Sequence, residues 1–345
     1  MTLEVLLLFF ILSLVINLAI IPKFVQIFKE KGLVVQDKYK ESKYEVPSFG
    51  GIFTFFSTIL SIAIGTFLVS FFSKTNYVII EGFNFTEIDF AVLLVLATYT
   101  IYGIIDDLVN VGRSFKTNVL IPLIFSFPLV IVINIQTFEL LTYQSLDLDR
   151  LFLFDFTYGD VFEILIIPLY ISVVMNLINL HSGFNGQQSG LSIIVLFGLI
   201  LHSLFQNDID DILIFVSTAG SLLSFWYFNR YPSQIFEGNV GTMFIGSCIG
   251  CAIVVQEYFF FGFFILIPHT VNFIMDFWTF NIASKKDIKF GTINSEGHII
   301  IPDSIATKSI KFALANKYTL KEPEAVLIQN LISVAFVIAG LIIFN

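Results

Sequence analysis

Residues 164–207 read ILIIPLYISVVMNLINLHSGFNGQQSGLSIIVLFGLILHSLFQN, a stretch without a single Asp, Glu, Lys or Arg. A helix crosses the hydrocarbon core of a bilayer in about 20 apolar residues, with a range of about 17–25. This run is too long for one crossing. Its middle, Asn176 to Gly190, is polar and Gly-rich, so the run reads as two helices joined by a loop. The other charge-free windows, 5–22, 46–73, 90–105, 117–138, 212–229, 238–256, 258–275 and 325–345, each fit one span. About ten transmembrane helices follow. The runs are continuously apolar rather than alternating, which argues against a barrel. Only Glu4 precedes the first run, so it lacks the basic start of a signal peptide and reads as a span.

Composition points the same way. Of 345 residues, 56% are apolar, 13% are charged and 42 are Phe, with a mean hydropathy of +0.87. Soluble domains are about 45–50% apolar and about one quarter charged. A water-soluble enzyme is excluded, as are disorder and collagen, and two cysteines are too few for a disulfide scaffold. The expected fold is an all-α polytopic membrane helix bundle, a single integral membrane domain over 1–345. Its expected surroundings are the lipid bilayer, and nucleic acid is not an expected partner.

Basic residues orient the bundle. Ten spans put both termini on one side and the loops after helices 1, 3, 5, 7 and 9 on the other. Those odd loops carry 16 of the 18 Lys and Arg residues; the opposite side has only Lys74 and Arg150. The odd loops are therefore expected to be cytoplasmic, at about 23–49, 106–117, 176–190, 229–239 and 276–324, and both termini extracytoplasmic. The net charge of −9 comes from acids crowded on the outer loops. The basic cytoplasmic face suits an anionic lipid surface or a phosphorylated substrate.

Chemistry is sought in those loops. Asp106 and Asp107 end the third span, where the helix macrodipole disfavours negative charge; such a pair calls for a cation or a catalytic purpose. Adjacent carboxylates hold a hard cation such as Mg²⁺ together with substrate phosphates, or act as a general base. The loop Asn176-Leu-Ile-Asn179-Leu-His181-Ser-Gly183-Phe-Asn185-Gly186-Gln187-Gln188 offers backbone N–H groups and neutral oxygens to a phosphate or a uracil edge. An ordinary turn is the competing reading, and a single His181 reads as a local hydrogen-bonder. In Asn229-Arg230-Tyr231-Pro232-Ser-Gln-Ile-Phe236-Glu237-Gly238-Asn239, an aromatic beside glycines and a carboxylate can stack a base near a phosphate. Cys248 and Cys251 lie inside a span without partner ligands and read as small packing residues.

In order along the chain, these pieces resemble the polyprenyl-phosphate N-acetylhexosamine-1-phosphate transferases, most nearly the dolichyl-phosphate branch. The residues that carry the resemblance are Asp37-x-x-Lys40, Pro47-x-x-Gly50-Gly51 and Gly103-x-x-Asp106-Asp107-x-x-Asn110 with Lys116 and Pro122. Asn176-x-x-Asn179-x-x-x-Gly183-x-Asn185-Gly186, Asn229-x-Tyr231-Pro232-x-x-x-Phe236-x-Gly238 and Pro268-x-x-x-Asn272-Phe273 complete it. The resemblance implies transfer of N-acetylglucosamine-1-phosphate from UDP-N-acetylglucosamine to dolichyl phosphate with release of UMP, the opening step of lipid-linked oligosaccharide assembly for N-glycosylation. It implies Mg²⁺, with Mn²⁺ as a substitute. Asp106, Asp107 and Lys116 would be catalytic. Asn185, with Asn239 or Glu237, would hold the metal. Asp37, Lys40, Asn110, Asn179, Gly186 and Phe236 would bind substrate, Phe236 by stacking on uracil.

This chain departs from the pattern in three places. Asn239 stands where relatives carry Asp, Gln187-Gln188 replaces Leu-Glu, and Lys285, Lys286, Lys289 and His298 stand in place of an Arg-rich segment. Lys285, Lys286 and His298 are accordingly read as substrate contacts. The length, and the lack of an ER-retention signal at the C-terminus, favour an archaeal cell-membrane enzyme; monomer and homodimer both remain open. An undecaprenyl-phosphate transferase of envelope synthesis is one alternative. A transporter or flippase is the other, although such proteins place polar groups near the midplane, whereas here they lie at one face.

Overall fold

The computed structural model describes residues 1–40, 44–74, 85–109, 121–133, 137–139, 145–147, 151–153, 156–279, 290–305 and 308–345. The protein is an all-α, multi-pass membrane protein. Its helices are α1 (Leu3–Glu30), α2 (Gly51–Lys74), α3 (Glu87–Val109), the short α4 (Phe127–Val130), α5 (Tyr158–Leu180) and α6 (Gln187–Gln206). There follow α7 (Leu213–Asn229), α8 (Gly238–Val255), α9 (Phe259–Ile265), α10 (Ile267–Phe277), α11 (Ile310–Tyr318) and α12 (Glu322–Ile343). Among the described residues seven helices are long and apolar enough to cross a membrane, or eight if α9 and α10 form one span bent by 61°. The bend falls at Leu266, just before Pro268, a residue that offers no N–H and crowds the preceding turn. The 17-residue α7 is apolar but shorter. The window 164–207 divides as read, at Leu180 and Gln187.

Among the described residues, strands are confined to four two-stranded hairpins. Two matter for the site: Val34–Gln36 with Glu45–Pro47, and Thr292–Ile293 with Ile299–Ile300.

Among the seven candidate spans of the described residues α8 is the most enclosed, and its small residues explain why. A Cβ on Gly246 would lie 2.7 Å from the Met175 Cα of α5, and one on Gly250 would lie 3.0 Å from the Ile171 Cα. Membrane helices lack a hydrophobic drive to associate, so close backbone approach through small residues does that work. Cys248 and Cys251 are buried on the same helix. Between α1, α2 and α7, Asn17 donates to the Ser221 carbonyl at 2.7 Å and accepts from Ser57 at 3.1 Å.

The two ends of the bundle differ. At one end Met1 meets Asp210, and Gln206 reaches Asn345 at 3.1 Å, so both termini lie there. At the other end the loops after α1, α5 and α7 meet α11 and the start of α12. A second hydrophobic cluster, including Tyr39, Phe184, Ile299, Ile305 and Phe312, caps that end.

Candidate active site

At the loop-rich end, the last turn of α3 meets the first turn of α8. Glycine permits the approach. A Cβ on Gly103 would lie 2.6 Å from the Val240 Cα, and one on Gly51 would strike the Gly241 backbone. The opening N–H groups of a helix have no internal partner and carry its positive pole. Asp107 supplies what they lack: Oδ1 accepts from the Asn239 N–H at 2.9 Å and Oδ2 from the Val240 N–H at 3.0 Å. Asn239 Nδ2 donates to Asp106 Oδ2 at 2.8 Å. Gly238 has φ +68°, and a Cβ there would lie 2.6 Å from Asp107 Oδ2, so both backbone and space demand glycine. The two acids thus sit at the unfavourable end of α3 because the favourable end of α8 faces them. A cation is not required to explain their position.

The donor set still suits Mg²⁺. That ion takes one or two carboxylates together with substrate phosphates, and Asp106 and Asp107 are adjacent carboxylates. Both oxygens of Asp107 are engaged by backbone N–H groups, so Asp106 is the carboxylate that would hold it. Asn239 turns its amide nitrogen, not its oxygen, toward Asp106. Glu237, two residues before Asn239, accepts from Asn229 Nδ2 at 3.0 Å. Burial pushes its carboxyl up to about 7, with backbone and Asn229 hydrogen bonds opposing.

Asn185 lies in a second cluster. Its Nδ2 donates to Asp37 Oδ2 at 3.0 Å, and its Oδ1 accepts from the Ser233 N–H at 2.8 Å. Lys40 bridges Asp37 at 3.2 Å and Glu322 at 2.7 Å, and its ammonium lies 4.1 Å from the Tyr231 ring centre. Asn229 connects the clusters: it donates to Glu237 and, at 3.5 Å, to Ser233 Oγ, and accepts from Ser189 at 2.7 Å. A groove of about 470 Å³ opens beside Lys40, lined by Tyr39, Tyr44, Tyr231 and Lys321 among others.

The remaining candidates are dispersed around this network. Asn179 accepts from Thr242 Oγ1 at 2.7 Å. Gly186 opens α6 with φ +70°, and a Cβ would lie 2.9 Å from the Arg230 Cα. Phe236 is fixed by its backbone, donating to Pro47 O and accepting from Gly50 N, each at 2.8 Å. His298 lies just before the Ile299–Ile300 strand, 3.3 Å from Glu296, and its own backbone pairs with Lys321 in an isolated bridge. Asn110, Lys116, Lys285 and Lys286 lie outside the described residues.

Sequence reasoning missed Glu322, Lys311 and Gln329. Glu322 binds the Asn185 N–H at 2.6 Å, Lys311 Nζ donates to the Ser182 carbonyl, and Gln329 lies 3.1 Å from His181 Nε2. A charged residue opening the last span looks like any interfacial acid, and nothing local distinguishes it. His181, read as a hydrogen-bonder, is one; burial pulls its imidazole down to about 4.

The sequence profile of glycosyl transferase family 4 matches residues 89–257, the segment that runs from α3 through α8. A relative from Sulfolobus acidocaldarius is 27% identical over 79% of this chain and 76% of its own length. One from Saccharolobus solfataricus is 29% identical over the same shares. Both carry the inferred name UDP-N-acetylglucosamine–dolichyl-phosphate N-acetylglucosaminephosphotransferase. The phospho-N-acetylmuramoyl-pentapeptide-transferase of Streptococcus mutans is 26% identical over 69% of each chain. The resemblance carried by the motifs is therefore borne out, and this multi-pass membrane protein is related to the sugar-phosphate transferases of glycosyl transferase family 4.

Proposed function

We propose that this chain transfers N-acetylglucosamine-1-phosphate from UDP-N-acetylglucosamine to dolichyl phosphate, at the cytoplasmic face of an archaeal cell membrane. The observation that carries the reading is the gathering at one end of the bundle of the Asp106–Asp107 pair, held by the opening turn of α8, with Asn185 and Lys40, which reach Glu237 at that same helix opening through Ser233 and Asn229. An oxygen of the lipid phosphate attacks the β-phosphorus of the donor. The bond from that phosphorus to the bridging oxygen breaks, and its electron pair leaves with UMP. The nucleophile is already an anion, so no base is needed; the task is positioning and charge neutralisation. Mg²⁺, when bound, screens the pyrophosphate. Asp106 would hold it, and Asp107 keeps the first turn of α8 in register beside it. Lys40 and Lys321 line the groove through which an anionic donor enters. Phe236 offers a stacking face for uracil, Lys116 is a phosphate contact, and Lys285, Lys286 and His298 meet the amino sugar.

Purified protein, labelled UDP-N-acetylglucosamine, dolichyl phosphate and Mg²⁺ should release UMP and give a labelled lipid pyrophosphate. Release of UDP would mean transfer of the sugar alone, and no turnover with any donor would return the reading to transport. The relatives named pentapeptide transferases favour a second reading, transfer to undecaprenyl phosphate, so both lipids belong in the assay.

A further inference from the structure

The chain beyond residue 309 holds the Asn185 loop from three sides. Lys311 Nζ, from α11, donates to the Ser182 carbonyl beneath Gly183, whose φ is +115°. Glu322, opening α12, takes the Asn185 N–H on Oε1 at 2.6 Å and the Lys40 ammonium on Oε2 at 2.7 Å. Gln329, seven residues on and on the same helix face, accepts from Gln187 Nε2 at 3.0 Å. These residues lie outside the family match at 89–257 and outside every motif of the sequence. They also answer one departure from the family pattern: Gln187 has a built partner.

Glu322 is the centre of this clamp. It is 3% exposed, and burying a carboxylate is costly unless it is paired and hydrogen-bonded. The bland reading is an acid in the first turn of a helix, where the dipole favours it. The geometry disfavours that reading, because α12 is capped by its own residues: Glu324 accepts from the Lys321 N–H at 2.8 Å. Glu322 instead reaches two segments far away in the chain. Asn185 Oδ1, already accepting from Ser233, has a second lone pair to offer, and its direction depends on the backbone that Glu322 grips.

We propose that Glu322 is a positioning residue of the transfer site, fixing the Asn185 backbone and the Lys40 ammonium in one geometry. The inference rests on the transfer reading above. The test is steady-state kinetics on full-length protein with labelled UDP-N-acetylglucosamine, after size-exclusion and thermal-unfolding checks. A misplacement of about 1 Å costs on the order of 100-fold in rate. Glu322→Ala should therefore lose roughly 100-fold in kcat, and Glu322→Gln, which keeps an acceptor for Asn185, about tenfold. The donor KM should move less than about threefold in both, as expected when an interaction serves the transition state alone. Glu322→Gln preserves shape and guards against misfolding of the alanine variant. Wild-type kcat in folded Glu322→Ala, a KM rise at constant kcat, or activity lost only in proportion to folded protein would each overturn the inference alone. No UMP release from the wild type would overturn the transfer reading and this inference with it.

Discussion

Both ends of the bundle carry buried carboxylates, but they are used differently. At the end that holds the termini, Asp89 accepts from the N–H and the hydroxyl of Thr86, three residues earlier, and Thr86 reaches Asp211 at 2.8 Å. That is a helix cap with one neighbour. At the loop-rich end, Asp107 caps a helix other than its own, and Asp37, Asn185, Ser233 and Glu322 join four distant parts of the chain. A local cap costs the chain little entropy and settles one helix end. A network drawn from four segments must order all of them, and a chain that orders them gains a fixed constellation, which phosphoryl transfer needs.

The largest test of this contrast is all-or-none. Asp210 and Glu296 are both exposed, with side chains 81% and 74% accessible, and they lie at opposite ends. In intact cells, a membrane-impermeant thiol reagent should label Asp210→Cys, and Glu296→Cys only after permeabilisation. The reverse pattern would turn the site outward and end the cytoplasmic reading.

Next comes the aspartate comparison. Asp107→Ala leaves two N–H groups of α8 without acceptors and, on the transfer reading proposed above, removes charge beside the reacting phosphates; UMP release should fall at least about tenfold, by analogy with lost electrostatic groups at other sites. Asp106→Ala should do the same. Asp89→Ala removes only a cap, worth about 0.5–2 kcal/mol, so its thermal midpoint should drop while kcat per folded protein stays within about twofold. Equal activity losses at both ends would erase the distinction drawn between them.

Much of this was legible in the sequence because membrane spans announce themselves by composition alone. The break at Leu180–Gln187 was read from Gly and Asn residues, and the gathering of motifs at one end from the basic loops. The bend at Leu266 was hidden, since Pro268 sits in a charge-free run and looks like part of one helix. So was the reason for Asp106 and Asp107: their acceptance of the N–H groups at Asn239 and Val240 depends on two helices crossing at Gly103, and crossing leaves no local mark. Glu322 and Lys311 escaped for the same cause, being bound to residues over a hundred positions away.

A smaller effect is expected at Asn239. Its amide donates to Asp106, a bond that a carboxylate cannot make. Asn239→Asp would set a third carboxylate against Asp106 and Asp107, destabilising the apo protein while favouring a divalent cation. The Mg²⁺ concentration for half-maximal activity should fall several-fold, as charge added near a divalent ion tightens it, and the donor KM should rise. Glu237→Gln, by contrast, keeps the Asn229 contact and should leave the metal dependence unchanged. If neither variant shifts the titration, Mg²⁺ is not held at this loop. If Glu237→Gln alone abolishes activity, Glu237 is the ligand.

The smallest effect is a slope. Lys311 is buried, and burial pulls its ammonium down to about 7; Lys308 adds to this while Glu322 and Asp276 oppose it. In the unfolded chain a lysine titrates near about 10.4. Between those values the unfolded chain holds a proton that the folded one has shed, so stability rises with pH across the window. The contribution is complete above about pH 10.4 and is lost as pH falls through about 7. Lys311→Met deletes the titrating group and keeps the apolar stem against Phe184 and Phe312. Thermal midpoints of wild type and variant, followed from pH 6 to pH 10 in one detergent, should show the wild type rising relative to the variant as pH climbs, because the cost of the buried ammonium is largest at low pH and is relieved across the window. Parallel curves would mean that Lys311 keeps its proton in the folded state, held by Ser182 and the nearby acids, and that the clamp on the Asn185 loop is a charged one throughout.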